Sequence, residues 1–197
     1  MTSRILAALL LALPLLAATS QAAHAAAATE YSGIQTDKSS LTFVFKQMNV
    51  GIEGKFRRFS SQVAFNPAKP EGAKAEIEVD LASIDAGSAE ANDEVVGKLW
   101  FNTKAYPTAK FVASSVKALG GNRYQVSGKM TIKGRSQDLS APFTLTPQGS
   151  QAALDGAFTI KRADFAIGEG MWADFSAVAN EIQIKVHLLA NGAPAKK

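Results

Sequence analysis

The sequence predicts an all-β protein, an eight-stranded antiparallel barrel with one short helix between its third and fourth strands. Three observations carry this expectation. Apolar and polar residues alternate with period two in run after run, turn residues separate the runs at hairpin spacing, and one segment led by acidic residues breaks the alternation. A sheet of this size with one buried face removes its edges by closing on itself.

The chain has 197 residues. Its start reads as a secretory signal peptide: Arg4, then the apolar run Ile5 to Ala18, then small residues ending in Ala23-His24-Ala25. The apolar core is shorter than a membrane span and contains Pro14, so cleavage near Ala25 is expected rather than retention as an anchor. Removing residues 1–25 takes one arginine and one histidine from the chain's 21 Lys+Arg, 17 Asp+Glu and two histidines. The mature net charge is then about +3. Residues 26–40 form a lead-in, residues 41–189 the barrel domain, and residues 190–197 a flexible tail.

Within the barrel, Leu41, Phe43 and Phe45 alternate with Thr42 and Val44 in a first strand over 41–48. A second runs over 53–65 and ends at Asn66-Pro67. In the third, over 73–81, Ile77, Val79 and Leu81 alternate with Glu76, Glu78 and Asp80. From Ser88 to Trp100, Glu90, Asp93 and Glu94 precede Val95, Val96 and Leu99, an order that places acidic groups at the positive end of a helix. Five more strands follow, over 110–118, 123–133, 137–146, 152–163 and 178–189. Gly120-Gly121-Asn122, Lys133-Gly134-Arg135-Ser136 and Pro147-Gln148-Gly149 lie between them. Short connections make sequential strands antiparallel, so the order is a meander. A barrel of eight strands is either filled by its own side chains or holds one small ligand.

Composition narrows the chemistry. The chain has no cysteine, which excludes disulfides, thiolate metal sites and cysteine nucleophiles. One mature histidine, His187, excludes multi-histidine metal sites, and it lies out of phase with Ile184, Val186 and Leu188, facing solvent as a bystander. The spacing G-x-G-x-x-A at Gly168 to Ala173 lacks the βαβ setting of a dinucleotide site and reads as a loop. Ser114-x-x-Lys117 lies in a strand and lacks the companion motifs of a serine hydrolase. No catalytic or metal-binding residue is assigned, and enzymatic function is not expected. Lys55-Phe56-Arg57-Arg58-Phe59 interleaves cations with aromatics, but alternation puts Phe56 on one face and Arg57 in water. A near-neutral exported chain has little attraction for a phosphate backbone, so nucleic acid is not an expected partner.

Several segments resemble the YceI-like family. They are Trp100-Phe101-Asn102 with Tyr106-Pro107-Thr108-Ala109-Lys110-Phe111, the run Tyr124 to Gly134, Lys161-Arg162-Ala163-Asp164-Phe165-Ala166-Ile167-Gly168, Met171-Trp172-Ala173-Asp174, and Val178 to Ile184. The resemblance spans about Leu41 to Leu188. Ala166 stands where a glycine is common, and Asn102 where an aspartate is common. The resemblance implies a lipocalin-like barrel exported to the periplasm, with an elongated apolar cavity for polyisoprenoid or other amphiphilic lipids and no established catalytic residues.

The candidate lining residues on strands are Phe43, Phe45, Phe56, Ile77, Val79, Phe111, Tyr124, Val126, Met130, Ile132, Phe143 and Phe158. On connections they are Trp100, Phe101 and Trp172. Such a set fills a barrel or lines an apolar tube. Arg162 is a candidate contact for a polar headgroup, and an ion pair with Asp164 is its structural alternative. Gly128 either leaves room for a chain or marks a bend, a bulge or a close approach. The Gly168 to Phe175 segment reads as a mobile rim. The expected function is binding or carriage of an isoprenoid or amphiphilic lipid, such as a quinone or polyprenyl chain. No cofactor is required, transient contact with the inner membrane is expected, and the chain is a monomer or homodimer. The other reading is a stress-associated periplasmic module with a filled barrel whose outer surface binds a protein.

Overall fold

The computed structural model describes residues 29–194. The expected cleavage site near Ala25 and the last three residues of the tail lie outside this range. The strands are β1 (Thr29–Ile34), β2 (Ser40–Gln47), β3 (Val50–Phe56), β4 (Phe59–Phe65), β5 (Lys74–Asp80) and β6 (Ile84–Asp85), then β7 (Thr108–Gly120), β8 (Arg123–Ile132), β9 (Arg135–Gln148), β10 (Gln151–Lys161) and β11 (Glu181–Pro194). Helix α1 (Ala89–Val95) sits between β6 and β7.

These segments occupy eight positions around a ring. β1 and β2 share the first and β3 and β4 the second, because each is one strand interrupted by a bend. Neighbours pair antiparallel from β4 through β5 and β7 to β11 in chain order. The long β11 then takes β2 along Gln183–His187 and β1 along Ala190–Pro194, closing the barrel.

Three departures from the sequence expectation shape the site. The second strand bends at Arg57 and Arg58 because their N–H groups turn away to the Ser83 carbonyl at 3.1 Å and the Ser83 hydroxyl at 3.0 Å. The strand expected over 152–163 stops at Lys161, where Arg162–Phe165 coil into a 3-10 turn that buries Arg162. The lead-in and the tail are the third correction, since Thr29–Ile34 and Ala190–Pro194 pair with each other. Small residues such as Ala190 and Gly192 have weak strand preference. They are required here because Tyr31, Phe65 and Tyr124 crowd this end of the barrel, leaving Ala152 and Ala190 0% exposed.

The helix forms where the acidic lead predicts it. The Ser88 hydroxyl accepts from the Ala91 N–H at 3.2 Å, satisfying one of the free amides of the first turn. Ala91 and Val95 then pack beside Phe43, Ile84 and Ala86. Along β11 the inward residues pass from Ile182 and Ile184 in this cluster to Leu188 and Ala190 in the aromatic floor at the opposite end. Among the described residues no helix is long and apolar enough to cross a membrane.

Candidate ligand cavity

Between the helix end and the aromatic floor the inward face leaves a cavity of about 610 Å³. Pockets for small ligands usually fall between about 300 and 1,000 Å³. Alternation builds the wall: Leu41, Phe43 and Phe45 on β2, Ile77 and Val79 on β5, and Ile182, Ile184, Val186 and Leu188 on β11 all point inward.

Fourteen of the fifteen apolar residues named from the sequence lie on this wall. Tyr124 does not. Its ring stacks on Phe143 at 5.2 Å and meets Phe65 edge-on at 4.9 Å, making it part of the floor below the cavity. Burial pushes its phenol above the usual tyrosine pKa. Leu81 and Ile84 also line the cavity, and so do Ile167 and Val178. Ile167 comes from an irregular segment where no period marks an inward residue, and Val178, expected as the start of the last strand, lies ahead of that strand's start at Glu181.

Polar groups gather at the helix end, where Gln47, Ser88, Glu90 and Glu94 line the cavity and are exposed. This is its mouth. Hydrogen bonds from the Glu90 N–H and Ser88 hold the Glu90 carboxyl below its ordinary pKa. Across the opening the Trp172 indole Nε1 donates to Glu94 Oε1 at 2.7 Å, latching the 170–172 turn to α1. Trp172 lies 5.4 Å from Trp100, and Phe101 packs edge-on to Phe56 at 6.4 Å, so the connection aromatics cap this end.

Arg162 is 1% exposed and meets neither expectation made for it. Its Nε donates to the carbonyls of Val178 and Ala179, Nη1 to Ile167 and Gly168, and Nη2 to Trp172 and Val178, at 2.7 to 3.3 Å. No ion pair with Asp164 forms among the described residues, and no guanidinium N–H is left for a headgroup. The Trp100 and Phe175 rings lie 5.6 and 5.0 Å from its guanidinium carbon, and burial pushes its pKa below the usual arginine value. Arg162 ties down Ile167, Gly168 and Trp172, the last two within the Gly168 to Phe175 segment that the sequence suggested as a mobile rim.

Gly128 is likewise decided by its surroundings. A Cβ there would run into the Val112 carbonyl and the Phe111 ring, at a register shift between β7 and β8. Close approach of backbone requires the glycine. Two of the three cations of the Lys55 to Phe59 run are held by carboxylates: Arg57 pairs with Asp85 at 2.8 Å and Arg58 with Asp80 at 2.7 Å. His187 lies on the outer face, with Nδ1 2.6 Å from Asp155 Oδ1.

Fold and cavity together define a closed antiparallel barrel of the lipocalin-like kind, with a mainly apolar cavity that carries polar groups at its helix end. The family model for the YceI-like domain matches residues 33–190, and the chain belongs to that family. It is 30% identical to a UPF0312 protein of Pseudomonas savastanoi pv. phaseolicola over 132 residues, 62% of this chain and 69% of the relative. It is 27% identical to a UPF0312 protein of Shewanella oneidensis over 162 residues, 78% of this chain and 84% of the relative. Among solved structures, BcnA of Burkholderia cenocepacia superposes with a TM-score of 0.79 at 46% identity, covering 81% of this chain and 100% of that one. A polyisoprenoid binding domain from Saccharophagus degradans shares the fold, with a TM-score of 0.64 at 15% identity over 83% of this chain and 98% of that domain.

Proposed function

We propose that this chain is an exported protein that binds an isoprenoid or similar amphiphilic lipid inside its barrel, with the chain in the cavity and the polar end toward the mouth. The observation that carries the reading is the cavity itself: about 610 Å³, walled mainly by apolar side chains, with Gln47, Ser88, Glu90 and Glu94 grouped at its helix end. Moving an isoprenoid chain out of water into such a space contributes about 0.8 kcal/mol for every CH₂ equivalent buried. The polyisoprenoid binding of a structural neighbour supports the ligand class. The leader-like Arg4 to Ala25 segment supports export to the periplasm. Met48, Val50, Leu99, Met171 and Phe175 stay exposed near the mouth, where the Met48 N–H bonds the Ala177 carbonyl at 3.0 Å. These apolar side chains support transient contact with a membrane during loading. A barrel filled by its own side chains does not match this cavity.

The test is extraction of the purified protein with organic solvent followed by mass spectrometry. The expected result is an isoprenoid lipid at close to one molecule per chain. Protein that carries no lipid and takes up no added decylubiquinone would overturn the reading.

A further inference from the structure

The ring of strands closes, but the seam between β9 and β10 is zipped along only part of its length, while the seams on either side of it, β8–β9 and β10–β11, are paired throughout. β9 and β10 pair from Gln148–Gln151 down to Phe143–Gly156, and there the ladder stops. Both strands continue, β9 back to Arg135 and β10 on to Lys161, each still paired on its other side, with β8 and β11. By the same register the next rung would join Pro142 to Ala157. Proline has no N–H to donate to a ladder, and its ring stands in the sheet where a donor is needed. Beyond it, residues 135–141 and 157–161 face each other as two unpaired strand edges. At the far end the Gln137 side-chain amide donates to the Asp164 carbonyl at 3.3 Å and closes the gap. Five residues of strand make this slit roughly 15 Å long.

Both edges border the cavity. Leu139 and Ala141 from β9 line it, as do Phe158 and Ile160 from β10. Pro142 lines it too while standing exposed on the outer surface. Leu139 and Phe158 are half-buried like much of the cavity wall, and Pro142 lies at once on the cavity and beside the outer-face residues Asp155 and His187. Barrels abolish their edges by closure, and an unpaired stretch inside a closed ring sacrifices backbone pairing that the neighbouring seams keep. At the mouth, by contrast, the Glu94 to Trp172 hydrogen bond and the carbonyls held by Arg162 fasten the loop that would have to move.

The geometry points to the β9–β10 slit as a side portal through which a flexible isoprenoid chain passes between solvent or membrane and the cavity. This rests on the isoprenoid-binding reading given above. A long chain slides sideways between two strand edges without the loop at the mouth opening, and its methylenes meet Leu139 and Phe158 on the way. Parting the unzipped segment breaks no ladder hydrogen bond, whereas parting any fully paired seam would break several.

The chain has no cysteine, so a pair introduced across the slit reacts alone. Ser140 and Thr159 are exposed and stand opposite each other by the β9–β10 register. The experiment bridges the Ser140→Cys/Thr159→Cys variant with a reductant-cleavable bifunctional thiol reagent. It then follows uptake and release of decylubiquinone by quenching of Trp100 and Trp172. Bridging should slow both rates by about tenfold or more and leave the equilibrium affinity within about twofold, since a gate alters rates and not the site. Cleaving the bridge should restore both rates. Pro142→Val provides a second variant without any cross-link. It supplies the missing N–H, should extend amide protection to Ala157 and beyond, and should slow uptake in the same way. Unchanged rates in both the bridged protein and a zipped Pro142→Val protein would overturn the portal. If wild type binds no decylubiquinone at all, the isoprenoid reading fails instead, and the two failures are told apart by that control.

Discussion

Ala166 holds a left-handed backbone, φ 54°, at the end of the Arg162–Phe165 turn. A Cβ in that region costs about 1 kcal/mol or more, and the structure accepts the cost because Ala166 is buried beside the Arg162 cluster. Ala166→Gly should therefore raise the stability by about 0.5–1 kcal/mol, read as a higher denaturant midpoint at unchanged slope. Asn102, at φ 51°, is the residue type that tolerates this conformation best after glycine. Arg162 behaves in the opposite direction. Lysine in its place offers one amine with three donors, which cannot serve carbonyls lying on both sides of a planar guanidinium. Each buried carbonyl left unpaired costs about 1–3 kcal/mol, so Arg162→Lys should lower Tm sharply, and near-wild-type melting would refute the clamp. Asp85 gives a prediction in pH. Hydrogen bonds from Arg57 and the Gly87 N–H hold its carboxyl below the ordinary value. A depressed folded pKa means stability that is present above the ordinary carboxylate range near about 4 and is lost as pH falls through the folded value. Asp85→Asn should melt below wild type at neutral pH, and the gap should close on acidification. A gap that persists in acid would mean that ionisation of Asp85 contributes nothing.

At the scale of elements, α1 and the turns after it act as a cap. Phe101 packs against Phe56 on β3 and is part of the wall. Truncating a buried aromatic to alanine usually costs about 3–5 kcal/mol, and a half-buried ring should come at or below the low end. Phe101→Ala should destabilise the ligand-free protein, and added decylubiquinone should recover part of the loss because ligand binds only the folded state. A Phe101→Ala protein with the wild-type Tm would remove this ring from the wall. The hydrogen bond from Trp172 to Glu94 makes the latch spectroscopically visible. Glu94→Ala leaves the indole N–H to water, and its emission should shift in a Trp100→Phe background.

At the scale of the whole molecule, closure depends on two segments whose residues do not look like strands. Ring closure through β1 and the end of β11 brings together residues about 160 positions apart, and it seals the end of the barrel opposite the mouth. Tyr31 is the buried anchor of that closure. Tyr31→Ala opens space over Ala190 and should cost several kcal/mol in the manner of other core truncations. It should also loosen the floor, read as faster amide exchange in the Thr29–Ile34 and Ala190–Pro194 ladder than in wild type.

The inward faces of β2, β5, β8 and β11, the meander order and the helix between the third and fourth positions were legible in the amino-acid sequence. Strand alternation and helix capping are local, and each needs only residues a few positions apart. The cavity wall was legible for the same reason, since a residue two steps from an inward residue is inward. What only the tertiary structure decided is everything that depends on groups far apart in the chain. Whether the barrel was filled or hollow is a sum of volumes across all eight positions. The pairing of Thr29–Ile34 with Ala190–Pro194 is written in small residues that suit the crowding of Tyr31, Phe65 and Tyr124. Arg162 carries no mark of the five carbonyls that surround it, because backbone groups have no sequence signature. Tyr124 obeys the alternation and still misses the cavity, since alternation gives a residue its face and only packing gives it its depth along the barrel.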